Sequence, residues 1–131
     1  MKNHDIKIGN HSIHVVNQVN NLLEENIREI QDVKQLAKLA GYSNRWMNEC
    51  FKYCEEKSPA VLLREVRYKA IRKMIKSNPT ATAAYVANAV APHWNEKNLY
   101  NFLSTHYQIN FTRLRFEILD GEMKNRNDQN R

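Results

Sequence analysis

At 131 residues, with only three glycines, three prolines and 42% hydrophobic residues, the chain suffices for one compact domain or two very small ones sharing a helix, with no room for a separate effector-sensing domain. The formal net charge of +6 points toward a polyanionic partner. No run approaches the ~20 apolar residues of a membrane span, and the polar start Met1-Lys2-Asn3-His4-Asp5 lacks the apolar core of a signal peptide, so a cytoplasmic location is expected. The charge is unevenly placed. Residues 22–56 hold five Lys/Arg against seven Asp/Glu, whereas residues 57–77 hold seven against one, so a single short segment carries the whole excess.

In chain order, the first fifteen residues alternate as Asp5-Ile6-Lys7-Ile8, Gly9-Asn10 and His11-Ser12-Ile13-His14-Val15. Two alternating runs around Gly-Asn predict a β-hairpin through a type II′ turn. An isolated hairpin is marginal, so Ile6, Ile8, Ile13 and Val15 are expected either to seal it on the helices or to offer a small partner surface for a dimer. His4, His11 and His14 fall close together there, but they lack a fourth ligand and a recognised spacing, and no metal is expected.

From Val19 the period becomes helical, with Val19, Leu22, Leu23, Ile27 and Ile30 on one stripe. Asp32 is a cap for a helix over 33–40, which Gly41 ends in a left-handed C-cap. Ser43 caps the next helix, from Asn44 to about Cys54. It sorts cleanly on a helical wheel: Trp46, Met47, Cys50, Phe51 and Cys54 share one arc, while Asn44, Arg45, Asn48, Glu49 and Lys52 share the other. The two cysteines, four apart on the inner arc, read as packed thiols rather than a disulfide or metal pair.

Ser58-Pro59 opens a helix to about Lys76. Leu63, Val66, Ala70, Ile71 and Met74 form its apolar arc, and Arg67 falls on that same side as a candidate partly buried ion-pair member. Asn78-Pro79 breaks the chain. Thr80 or Thr82 can cap an alanine-rich helix through Val90, and Ala91-Pro92-His93-Trp94 forces a second turn. A further helix opens near Asn95, with Leu99, Phe102, Leu103, His106 and Tyr107 inward and Lys97, Asn101, Ser104 and Thr105 outward. Residues 120–131 hold too few apolar groups for a core and read as a disordered tail. Trp46 and Trp94 are expected in the core or turns rather than as stacking platforms.

A short helix, a tight turn and an amphipathic second helix make a helix-turn-helix, and the pattern occurs twice around one basic helix. The residues Gln35-Leu36-Ala37-Lys38-Leu39-Ala40-Gly41-Tyr42-Ser43, Phe51-Lys52, Ser58-Pro59 and Leu63-Arg64-Glu65-Val66-Arg67-Tyr68-Lys69-Ala70-Ile71-Arg72-Lys73-Met74-Ile75 resemble the DNA-binding domain of the AraC/XylS family of bacterial transcription regulators, over residues 20–117. Two departures are visible. The second unit's turn, Val86-Ala87-Asn88-Ala89-Val90-Ala91-Pro92-His93-Trp94, is one residue longer than usual and has no glycine, and Gln108-Ile109-Asn110-Phe111 replaces the family's Gly-x-x-Pro.

The resemblance implies an all-α domain at 17–119 with seven helices, in which two recognition helices are held by a linker helix that itself stands off the DNA. A monomer on an asymmetric site is expected, acting as an activator that recruits RNA polymerase, in a nucleoid-associated setting and with no cofactor or small-molecule effector. Asn44, Arg45, Asn48 and Glu49 fall where base edges would be read. Arg forks onto guanine, Asn pairs with adenine, and Glu accepts from cytosine while repelling phosphate. Ser43 and Lys52 are candidates for phosphate. In the second unit Lys97, Asn98, Asn101 and Ser104 are the outward candidates, for bases or backbone. Arg64, Arg72 and Lys76 on the linker are long-range steering charges. The rival expectation is a degenerate family member that binds RNA polymerase or another regulator through protein contacts. An enzyme is not expected, because no Ser-His-Asp or Cys-His order, glycine-rich phosphate cradle or carboxylate pair is present.

Overall fold

The computed structural model describes the backbone of residues 2–129 and the side chains of residues 9–121. Its helices are α1 (Lys2–Asn26), α2 (Val33–Ala40), α3 (Asn44–Tyr53), α4 (Pro59–Ser77), α5 (Ala83–Val90), α6 (Glu96–Tyr107) and α7 (Phe111–Gln129), with a 3-10 turn at Ile27–Glu29. The described residues contain no strand, so the architecture is all-α.

Helices begin where side chains can satisfy orphan amides. The Asp32 carboxylate accepts from the Gln35 N–H at 2.8 Å, Ser43 Oγ from Trp46 N–H at 3.1 Å, and Thr82 Oγ1 from Tyr85 N–H at 3.1 Å. Gly41 ends α2 at φ +83°, a left-handed cap that a Cβ would strain.

The expected N-terminal hairpin is not found: Lys2–Asn26 is one helix. The alternating residues hide a second period. Ser12, Val15, Val16, Val19 and Leu23 recur at helical spacing and are all buried, whereas Ile13, inward in the hairpin register, is 53% exposed. A helix satisfies its own backbone, while a lone hairpin leaves two open edges. Gly9 serves close approach rather than a turn, because a Cβ there would lie 3.3 Å from the Tyr53 hydroxyl. The side chains of His4, Ile6 and Ile8 lie outside the described residues. At the other end α7 continues to Gln129, where composition suggested a disordered tail. Its polar residues include no proline, and none of them forbids a helix.

The contacts divide the chain into two units, Met1–Arg67 and Tyr68–Arg131, with the division inside α4.

In the first unit, α1 packs on α2 and α3 around Val19, Leu23, Ile30, Leu36, Met47, Phe51 and Leu63. Cys50 lies in this core beside Ser12. Burial pushes its thiol pKa up, partly offset by the Ser12 hydrogen bond. Gln18 ties α1 to the turn after α2: its Oε1 accepts from the Tyr42 hydroxyl at 2.7 Å and its amide donates to the Ala40 carbonyl at 3.4 Å. Arg67 is 8% exposed, and its Nη2 donates to the carbonyls of Ile30 and Gln31, both at 2.7 Å. Burial lowers its pKa, against the field of Asp32. The loop that leads into α2 is thus held by a buried cation.

In the second unit, Ile71 and Ile75 of α4 pack with Val86 of α5, Leu99 and Leu103 of α6 and Leu114 of α7. The Tyr68 and Tyr107 rings stack at 3.7 Å. Arg115 repeats the Arg67 arrangement, with Nη1 donating to the carbonyls of Pro79 and Ala81 at 3.3 and 3.0 Å in the loop that leads into α5. Gln108 ends α6 in the left-handed region at φ 50°, and Asn110 Oδ1 then accepts from Arg113 N–H at 2.8 Å to start α7.

Arg67→Met, which strips the buried Ile30 carbonyl and the part-buried Gln31 carbonyl of their donor, is expected to destabilise the protein by about 2–4 kcal/mol in urea denaturation, with half-exposed Arg115→Met costing about 1 kcal/mol. Gln108→Gly relieves left-handed strain and is expected to raise stability by about 1 kcal/mol, read as an upward shift of Tm.

Candidate nucleic-acid interface

The α3 surface is built by burying one side of a ten-residue helix. Met47, Cys50 and Phe51 face the core, and the half-buried Trp46 packs at 5.7 Å from the His11 ring of α1. This fixes the rotation of α3 about its axis and turns Asn44, Arg45, Glu49 and Lys52 to solvent, with Asn48 half-buried between them. The outward residues form two coupled pairs one turn apart. Arg45 Nε donates to Glu49 Oε1 at 3.1 Å, with the two side chains 90% and 53% exposed. Asn48 Nδ2 donates to the Asn44 carbonyl at 2.7 Å and to its Oδ1 at 2.9 Å. An exposed i,i+4 ion pair contributes only about 0.3–0.5 kcal/mol, so Arg45 exchanges Glu49 for another acceptor at little cost. The row offers one planar cationic fork, two amides and a carboxylate, the polar groups suited to base edges. Ser43 stands at the helix N-terminus. Its oxygen already accepts from Trp46, which leaves its O–H as a donor.

The second pair of helices reaches a similar local form by different means. Without a glycine, α5 stops because Pro92 disfavours helical geometry at Ala91, which is extended at φ −148° and ψ 116°. The turn is closed by Trp94 N–H on the Ala91 carbonyl at 2.9 Å, and the Trp94 ring packs 5.1 Å from Phe102. Asn95 and Asn98 then form a reciprocal capping box at the start of α6, with Asn95 Oδ1 accepting from Asn98 N–H at 3.0 Å and Asn98 Oδ1 from Asn95 N–H at 2.8 Å. Lys97, Asn101 and Ser104 are exposed as expected from the wheel. Asn98 is exposed too, but its carbonyl oxygen is committed to the cap.

Sequence reasoning passed over Tyr100. It lies 42% exposed on the same helix, and its hydroxyl donates to Glu96, an interaction that raises the phenol pKa. Tyr100, Ser104, Gln108, Ile109, Asn110 and Arg113 line an open groove of about 520 Å³. The signal was available, since Glu96 and Tyr100 are an i,i+4 pair on the outward arc.

Against protein-family models, curated proteins and solved structures, the chain shows no match. The chemistry of these two helix faces therefore carries the functional argument by itself. Among the described residues no three His, Cys, Asp or Glu side chains gather as a metal site, and no helix is long and apolar enough to cross a membrane.

The capping role separates the second-unit candidates. Asn98→Ala is expected to cost about 1 kcal/mol of thermal stability, whereas Asn101→Ala on the open face should change it by less than about 0.5 kcal/mol.

Proposed function

We propose that the protein is a sequence-specific duplex-DNA-binding transcription regulator of the AraC/XylS type, with α2 and α3 forming the first helix-turn-helix and α5 and α6 the second. The observation that carries this reading is the outward row of α3, where Asn44, Arg45, Asn48 and Glu49 stand exposed or half-exposed on a helix whose opposite side is locked into a core. In this role Arg45 and the asparagines read base edges in the major groove. Glu49 restricts which bases are accepted, and the Ser43 hydroxyl and Lys52 ammonium meet phosphates.

Two further features support the reading. Each unit pairs an eight-residue capped helix with a longer amphipathic one, α2 with α3 and α5 with α6. The places where the resembled family has Gly-x-x-Pro are here the left-handed cap Gln108 and the first residue of α7, Phe111, which are positions suited to Gly and Pro respectively. Lys97, Asn101 and Ser104 serve as second-unit contacts, with Asn98 acting through the cap. Activation by recruiting RNA polymerase, binding as a monomer and a location on the nucleoid follow from the resemblance, and no catalysis, cofactor or small effector is part of the proposal.

A second reading, a family member that works through protein contacts with RNA polymerase or another regulator, is favoured by Asn98 being drawn into the cap and by the exposed Tyr85 and Phe116 of the second unit, 56% and 67% accessible. A complex that survives nuclease treatment would support it.

Selection of bound duplexes from a random library at near-physiological salt tests the first reading. The expected outcome is a two-box motif about one helical turn apart, with Arg45→Ala losing information in one box and about 10- to 100-fold in affinity. A library that yields no motif, with binding that fades as salt rises, overturns it.

A further inference from the structure

Helices α3 and α6 keep one register. Counted from their caps, Ser43 and Asn95, the buried residues fall at the same steps, Met47 with Leu99, Cys50 with Phe102 and Phe51 with Leu103. The same offset carries on to the next helix of each unit. Ser58 Oγ accepts from Val61 N–H and Asn110 Oδ1 from Arg113 N–H, each just ahead of a buried side chain, Pro59 and Phe111.

In that register the outward row of the first unit has a counterpart in the second. Arg45, Asn48, Glu49 and Lys52 correspond to Lys97, Tyr100, Asn101 and Ser104, and Asn44 corresponds to Glu96. The internal bond is kept although the side chains differ: Asn48 Nδ2 donates to Asn44 Oδ1 in α3, and the Tyr100 hydroxyl donates to Glu96 Oε1 in α6. Capping does not account for the second pair, because the α6 cap is closed by Asn95 and Asn98. Tyr100 thus stands 42% exposed between Lys97 and Ser104, at the step where the first unit carries Asn48.

With its proton directed to Glu96, the phenol oxygen has only lone pairs to offer, and a carboxylate offers nothing else. The pair is therefore a surface of acceptors. Among the base edges of the major groove, the cytosine N4 amino group is a donor with no acceptor beside it, adenine sets its N6 donor next to N7, guanine shows N7 and O6, and thymine shows O4 and a methyl group. Cytosine fits such a surface and guanine is repelled by it.

We infer that Glu96 and Tyr100 form a base-reading pair in the second unit, selective for cytosine and against guanine. This rests on the DNA-binding reading above, and it adds a discriminating pair to the contacts assigned to Lys97, Asn101 and Ser104.

The test repeats the duplex selection on the full chain with Glu96→Gln and Tyr100→Phe beside the wild type. Fluorescence anisotropy then gives affinities for labelled duplexes in which each base pair of the second box is varied in turn. At one position of that box the wild type should prefer cytosine to guanine by about 10-fold. Glu96→Gln, which gains an amide donor, should move that preference to adenine, and Tyr100→Phe should weaken it by about 3- to 5-fold. Both variants should read the first box as the wild type does and keep its Tm, since the two side chains are exposed. A purely structural pair would move stability and not base preference. Second-box preferences that are the same in wild type and both variants overturn the pair and leave the regulator reading intact. So does a uniform gain in affinity of Glu96→Gln for every duplex, a scrambled one included, because that reports lost charge repulsion alone. A wild-type motif confined to one box also overturns the pair. A wild type that enriches no motif brings down both proposals.

Discussion

The candidate recognition surfaces depend on guanidinium groups that grip loop backbone. Arg67 in the first unit and Arg115 in the second each donate to two carbonyls of the loop that precedes a short capped helix. Loop carbonyls that face inward need donors, and a fork of several N–H groups can satisfy two of them from one side chain. In the first unit the grip fixes Ile30 and Gln31 beside Asp32, so the cap of α2 is delivered in register. Leu36 and Ala37 then enter the core, and the Gly41 turn sets where α3 begins. The second unit reaches the same end through Pro79, Ala81 and the Thr82 cap. A burial cost that would be prohibitive for an unpaired cation is tolerated because the carbonyls would otherwise be orphans themselves.

In the proposed role, the outward residues of α3 would trade strength for discrimination. A basic row would hold any duplex, whereas here Arg45 is held by Glu49 and Asn48 by Asn44, so the isolated protein presents a nearly neutral, preorganised face. Preorganised side chains lose less rotamer freedom on binding. The carboxylate makes a poor fit to phosphate, which penalises misregistered encounters.

Much of the local structure was legible in the sequence because its causes are local. Asp32, Gly41, Ser43, Pro59 and Thr82 each act within four residues, and the helices begin or end beside them. The interactions that join distant segments left no such trace: Gln18 to Tyr42 and Arg67 to Ile30 cross 24 and 37 residues, and a lone glutamine or an arginine on an apolar arc names no partner. The hairpin was misread because Ile13 and Val15 satisfy an alternating period while Ser12, Val15, Val16 and Val19 satisfy a helical one. Only burial decides between the two. On the site side, the inward and outward arcs of α3 and α6 were readable from spacing, except that His106, inward on the wheel, is exposed beside the Phe102 ring at the end of α6. The diversion of Asn98 was not, since an Asn-x-x-Asn box departs from the usual Ser/Thr-x-x-Glu form.

The placement of the aromatic side chains has a spectroscopic consequence. The chain has two tryptophans, and they fall one to each unit: Trp46 against His11 and the first core, Trp94 against Phe102 and the second. Both are half-buried, so each indole emission moves toward the red as its own core opens to water. A pair of Trp→Phe variants therefore gives each unit a private fluorophore. Superimposable denaturation curves would make α4 the spine of a single cooperative molecule, and separated midpoints would make it a tether between two independent ones.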